Sequence, residues 1–125
     1  MSVKNKKQYG VWMDSRNATI VGNAGLENGS FTLLGHVKND GQDNNSNEKT
    51  SNNQEIMLKH KYFKAIAGIM PNIDEIHITG TGQIQEEFIK YLADTPQYKN
   101  ALSSISTSNK MSDEQLAEFI KKHFN

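Results

Sequence analysis

One stretch decides how this chain can fold. From Lys38 to Asn53 no residue is apolar, and six of the sixteen are Asn. Such a segment buries too little surface to offset the entropy of ordering it, so it reads as a mobile loop outside any core. A loop of that length inside a small domain is uncommon, and is functional or disordered. The core must therefore come from the two flanks. Their hydrophobic periods differ: the first alternates with period two, while the second carries period 3.6 between short β-like runs.

In the first flank, residues 1–7 are polar and basic and read as a flexible terminus. Tyr9-Gly-Val-Trp-Met-Asp14 is a strand ended by the turn signal Asp14-Ser-Arg-Asn17. Asn17-Ala-Thr-Ile-Val21 is a second strand, Gly22–Gly29 a Gly/Asn-rich turn, and Ser30–Val37 a third strand. Short strands joined by turns predict an antiparallel meander.

The second flank alternates helix and strand. Gln54–Met70 predicts a helix with Leu58, Tyr62, Phe63, Ile66, Ile69 and Met70 on one side, ended by Pro71-Asn72. Lys59 falls inside that apolar arc and must snorkel or mark an exposed end. Asp74–Thr79 is a strand, Gly80-Thr81-Gly82 a turn, and Gln83–Ala93 a helix. That helix has Ile84, Phe88, Tyr91 and Leu92 inside, with Gln85, Glu86, Glu87 and Lys90 outside. Ala101–Thr107 is a weaker strand. Ser112-Asp-Glu-Gln115 is a capping box opening a last helix, whose inner face is Leu116, Phe119, Ile120 and Phe124. The order β-β-β-α-β-α-β-α predicts one α/β domain over residues 8–125. Its expected architecture is a mixed five-stranded ribonuclease H-like sheet, the last two strands parallel to the first and helices on both faces.

Composition excludes several classes of function. The chain has no Cys, so disulfides, thiolate zinc sites and thiol nucleophiles are out. No apolar run approaches the ~20 residues of a membrane span, and no apolar segment follows the basic start, so no signal peptide is expected. The expectation is a soluble, cytoplasmic protein without a membrane partner. The formal net charge is zero, which argues against binding nucleic acid by bulk electrostatics. Arg16 is the sole arginine, so bidentate reading of guanine is nearly excluded and no DNA partner is expected.

Few residues are placed for chemistry. Asp14 ends the first strand, where a ribonuclease H-like nuclease holds Mg²⁺ with further carboxylates. Glu48, Glu55 and Asp74 are the candidates, but Glu48 lies in the loop and Asp74 at the far end of its strand. A turn-initiating Asp explains Asp14 better. Gly80-Thr81-Gly82 precedes a helix, where free N–H groups can meet an anion; lacking a third glycine and a Lys-Ser/Thr pair, it is neither a dinucleotide fingerprint nor a P-loop. His36, His60, His77 and His123 show no ligand spacing, so no metal and no cofactor are expected. His77 reads as packed or hydrogen-bonded within its strand. Tyr9, Trp12, Tyr62, Phe63 and Phe88 read as core rather than as base-stacking platforms.

Three segments together resemble one family. Tyr9–Val21 is similar to a "strand, Asp, x, x, x, Ala, strand" hairpin. Ile76–Gly82 followed by Gln85–Leu92 resembles a "strand, Gly-Pro-Gly" turn and its helix. Lys110–Ala117 looks like a "Met-Thr-Asp-x-Gln-x-x-Ala" helix start. These are features of the bacterial relatives of the middle domain of archaeal and eukaryotic class I release factors and Pelota, over residues 8–124. In release factors a Gly-Gly-Gln loop after the third strand serves peptidyl-tRNA hydrolysis. The corresponding region here holds Asp40-Gly41-Gln42, with Asp40 in place of the first glycine and acidic residues beyond. The resemblance thus implies a translation-associated accessory protein that binds a ribosomal, RNA or protein partner without catalysis. Asp40, Gly41, Gln42, Gly80, Thr81 and Gly82 are its contact candidates, and a homo-oligomer is compatible. Two alternatives stand beside it: peptidyl-tRNA hydrolysis through Gln42, and a Mg²⁺-dependent nuclease using Asp14.

Overall fold

A computed structural model describes residues 7–23, 31–39, 52–70 and 72–124, with backbone alone over residues 52–56. Residues 1–6, the greater part of the Gly22–Gly29 turn, and residues 40–51, which include Asp40, Gly41, Gln42 and Glu48, lie outside the described residues, as does the side chain of Glu55. The elements are β1 (Gln8–Met13), β2 (Asn17–Gly22), β3 (Thr32–Lys38), α1 (Asn52–Ile69), β4 (Glu75–Gly80), α2 (Ile84–Asp94), β5 (Leu102–Thr107) and α3 (Asp113–Phe124). β3 takes in Lys38, and α1 takes in Asn52 and Asn53, so regular structure reaches further into the Asn-rich stretch than its composition suggests.

The five strands form one sheet in the order β3-β2-β1-β4-β5. β1 and β2 form an antiparallel hairpin with Met13 opposite Ala18, and β3 runs antiparallel to β2. β4 lies parallel to β1, Val11 opposite Ile78, and β5 parallel to β4. The meander, the mixed sheet and the parallel addition of the last two strands all match the sequence-based expectation.

Period-two patterning sends alternate residues to two cores. Val11, Met13, Ala18, Ile20, Ile76 and Ile78 meet Tyr62, Phe63, Ile66 and Met70 of α1 and Phe88 and Leu92 of α2. Each fully buried Val, Ile, Leu, Met or Phe among them contributes about 1.5–3 kcal/mol. On the opposite face Trp12, Val21 and Phe31 meet Leu116 and Ile120 of α3. Gly10 makes that second contact possible, since a Cβ there would stand 2.1 Å from Ile120 Cγ1. α3 opens on the expected capping box: the Gln115 N–H donates to Ser112 Oγ (3.1 Å), and the Ser112 N–H to Gln115 Oε1 (3.0 Å). Lys59 resolves its misfit in the apolar arc by pairing with Glu87 of α2 at 2.7 Å. Among the described residues no helix is long and apolar enough to cross a membrane.

Candidate binding site

The register gathers several connections at one end of the sheet. Because β1, β4 and β5 are parallel and β3 is antiparallel to β2, the carboxyl ends Met13, Lys38, Gly80 and Thr107 share one rim. Open sheets with parallel strands bind ligands at such ends. Here the rim carries the Asp14-Ser15-Arg16 turn, the departure of the chain toward residues 40–51, the Gly80–Gly82 turn and the Ser108-Asn109 segment.

The first turn is locked from three directions. Asp14 Oδ1 accepts the N–H groups of Arg16 (2.8 Å) and Asn17 (2.7 Å). Asn39, buried at the end of β3, donates its N–H to the Arg16 carbonyl (2.8 Å) and its Nδ2 to the Ser15 carbonyl (3.1 Å). The Tyr62 hydroxyl of α1 donates to the Asp14 carbonyl (2.8 Å). Burial first, and the Asp14 carboxylate second, push the Tyr62 ionisation well above its ordinary value, so the phenol stays a donor. This is the turn-initiating role expected of Asp14. The structure does not bring Asp74 to it: six-residue β1 and β4 lie parallel, so the two carboxylates sit about 20 Å apart at opposite ends, and Asp74 Oδ2 instead accepts the Lys7 N–H (2.7 Å). Among the described residues no three His, Cys, Asp or Glu side chains are grouped to hold a metal ion.

The Gly80–Gly82 turn is built differently from the sequence-based picture. A Cβ on Gly80 would lie 1.9 Å from the Met13 carbonyl oxygen, so a side chain is barred where β4 leaves the sheet. Gln85, expected on the outside of α2, is buried. Its Oε1 accepts the Gly82 N–H (3.1 Å), and its Nε2 donates to the Ser106 carbonyl (3.1 Å). An amide that satisfies a turn on one side and an adjacent strand on the other is stable without solvent, and no local pattern reveals such a bond across 21 residues. The Gly82 N–H is therefore occupied from within. Glu86 and Glu87 in the first turn of α2 further oppose an anion there.

Charge divides the rim. On the β3–α1 side, Arg16 is exposed, and Lys38 and Lys61 line a hollow of about 90 Å³ with Asn39, Leu58 and Tyr62. On the β4–α2 side stand Glu86 and Glu87, the latter held by Lys59. The first side carries the exposed positive charge of Arg16 and Lys61. The second offers one open glycine, Gly82, at which another backbone can come close.

Away from the rim two of the four histidines, distant in the chain, come together. His77 is 3% exposed, and its Nδ1 and Nε2 meet Ser104 Oγ (2.7 Å) and Ser106 Oγ (2.8 Å). That is the packed, hydrogen-bonded role expected of it. His123 of α3 stacks on its ring, 3.9 Å between centroids, a meeting invisible in residues 46 positions apart.

Sheet order, helix placement and rim define the class: an open mixed-sheet α/β domain with two helices on one face and one on the other. Solved structures share it. The Thermoplasma acidophilum Pelota protein matches at a TM-score of 0.62 and 20% identity, over 92% of this chain and 32% of its own. Pelota from Archaeoglobus fulgidus matches at 0.59 and 10% identity, over 94% and 31%. An archaeal translation termination factor matches at 0.53 and 13% identity, over 94% and 35%. The chain thus spans about a third of these proteins, and the resemblance read from three short segments holds at the level of the fold. No protein-family model matches the sequence, and no curated protein does.

Proposed function

We propose that this domain is a translation-associated binding module that engages the ribosome, through its RNA or proteins, at the carboxyl rim of the sheet, and acts by binding rather than by catalysis. One observation carries the reading: the fold shared with Pelota and a translation termination factor sets the Asp14–Arg16 turn, the ends of the 40–51 connection and the Gly80–Gly82 turn side by side. Arg16 and Lys61 supply charge toward phosphate on one side. Exposed Thr81 and Gly82 supply the contact on the other, with Gly80 setting the turn beneath them. Asp40, Gly41 and Gln42, outside the described residues, are proposed as further contacts because the chain leaves the rim at Asn39.

The test is co-sedimentation with ribosomes at low and moderate salt. The protein is expected in the ribosomal fractions at low salt and to be partly released at moderate salt. The exposed charge reversals Arg16→Glu and Lys61→Glu together should weaken retention without lowering the melting temperature. Absence from every ribosomal fraction, or retention indifferent to both salt and charge reversal, would overturn the reading.

A further inference from the structure

A continuous chain of polar groups runs beneath α3. His123 Nε2 meets Ser104 Oγ (3.2 Å), which meets His77 Nδ1 (2.7 Å). On the other side of the His77 ring, Nε2 meets Ser106 Oγ (2.8 Å), Ser106 donates to Thr79 Oγ1 (2.9 Å), and Thr79 meets Ser108 Oγ (2.8 Å). The His77 ring also lies 5.8 Å from Phe119 and stacks on the His123 ring at 3.9 Å with 29° between the planes. Ser106 spends its one hydroxyl proton on Thr79, so it accepts from His77 Nε2–H, and Nδ1 of the neutral ring accepts from Ser104. Two imidazolium rings stacked at that separation repel.

We infer that α3 is an acid-released lid over the β1–β4 face of the sheet, latched by the stacked pair His77–His123. Among the described residues around the latch, no carboxylate is hydrogen-bonded to either ring. From α3 come His123 and Phe119, with Lys121 and Lys122 as exposed chain neighbours that add positive charge. β5 presents only the hydroxyls of Ser104 and Ser106, and β1 presents Gly10 opposite His77. On β4 itself the same face carries Thr79 and Glu75, and the Glu75 carboxylate accepts a bond from Gln8 Nε2 (2.7 Å). A charge on one ring over a neutral partner is tolerated; charge on both, once His77 is protonated, breaks the stack.

The acid range follows from the direction of the shift. Burial first, and the His123 charge second, hold His77 at about 4, below its ordinary 6.5. A released His77 titrates near the ordinary value. The docked state is therefore fully favoured above about 6.5 and loses ground as pH falls toward 4. At the other end of the helix, Nε2 of His36 on β3 meets Asp113 Oδ1 at 3.0 Å. With the capping box intact there, the lid opens from its Phe124 end.

Trp12 makes the test direct. It is the sole tryptophan, 2% exposed, packed against Leu116 and Ile120, with its Nε1–H donating to the Asn109 carbonyl (3.0 Å). In the full chain, Trp12 emission is followed from pH 7.5 to 4 alongside amide hydrogen exchange. The expected result is a reversible red shift with its midpoint between 4 and 6.5. Protection of Ile120–His123 should fall at least about tenfold relative to β4. His123→Phe keeps a stacked ring but removes the second charge, and should move the midpoint about half a pH unit or more toward acid. Loss of protection in α3 and β4 together, an unshifted His123→Phe midpoint, or no change in emission down to pH 4 would overturn the inference.

Discussion

Removing the Gln85 amide should loosen the Gly80–Gly82 turn by an amount that can be worked out. The side chain is 1% exposed and makes two bonds, one from the Gly82 N–H and one to the Ser106 carbonyl, each 3.1 Å. Gln85→Met keeps length and volume while deleting both polar atoms. Each bond is worth about 1 kcal/mol net. Gly82 is exposed, so water can replace its partner, whereas the carbonyl of half-buried Ser106 is poorly placed for water and adds a desolvation cost of about 1 kcal/mol. Burying the apolar Met side chain returns roughly 1 kcal/mol, leaving a loss of about 2 kcal/mol. With a melting entropy of about 2.1 cal/mol/K per residue over 125 residues, each kcal/mol moves the midpoint by about 4 °C, so a drop of about 8 °C is expected. Gln85→Glu should fall further, since it keeps the Gly82 bond but sets a buried carboxylate against a carbonyl oxygen. Paired thermal and urea denaturation measures both variants. A Gln85→Met midpoint within about 2 °C of the parent would refute the reasoning, as would a Gln85→Glu variant more stable than Gln85→Met.

Two further substitutions probe neighbouring features. Gly80→Ala places a methyl against the Met13 carbonyl oxygen, a backbone atom that cannot swing aside; about 3 kcal/mol should be lost, read as a lower urea midpoint at unchanged slope. Ser112→Ala removes one half of the α3 capping box and should cost about 1 kcal/mol, or about 4 °C in the melting midpoint.

Much of the fold is legible in the residues, and the reasons differ by element. The apolar run from Tyr9 to Met13 identifies a strand, buried here on both faces, and the parallel placement of β4 and β5 follows from helices intervening between strands. The α3 start is legible because a capping box is a local device whose two partners lie three residues apart. Asp14 is legible for the same reason, its carboxylate bonding two and three residues ahead. What escapes is whatever depends on residues distant in the chain. Gln85 looks like surface on a helical wheel because Ser106, which draws it inward, sits on another element. Asn39 looks like loop because its partners are the carbonyls of Ser15 and Arg16. The His77–His123 stack joins a strand and a helix that no spacing rule connects. Of the site, the Gly80–Gly82 turn is visible as glycines, but its occupied N–H and its acidic flank emerge only once α2 is packed.

Because the chain has no cysteine, a single introduced thiol can carry a photocrosslinker to a chosen position. Ser15→Cys lies exposed on the rim, and Asn100→Cys lies exposed at the opposite end, just ahead of β5. Both labelled proteins are irradiated with ribosomes at low salt. Rim engagement predicts adducts to ribosomal RNA or ribosomal proteins from position 15 and few or none from position 100. Equal yields from both ends, or adducts from position 100 alone, would contradict it.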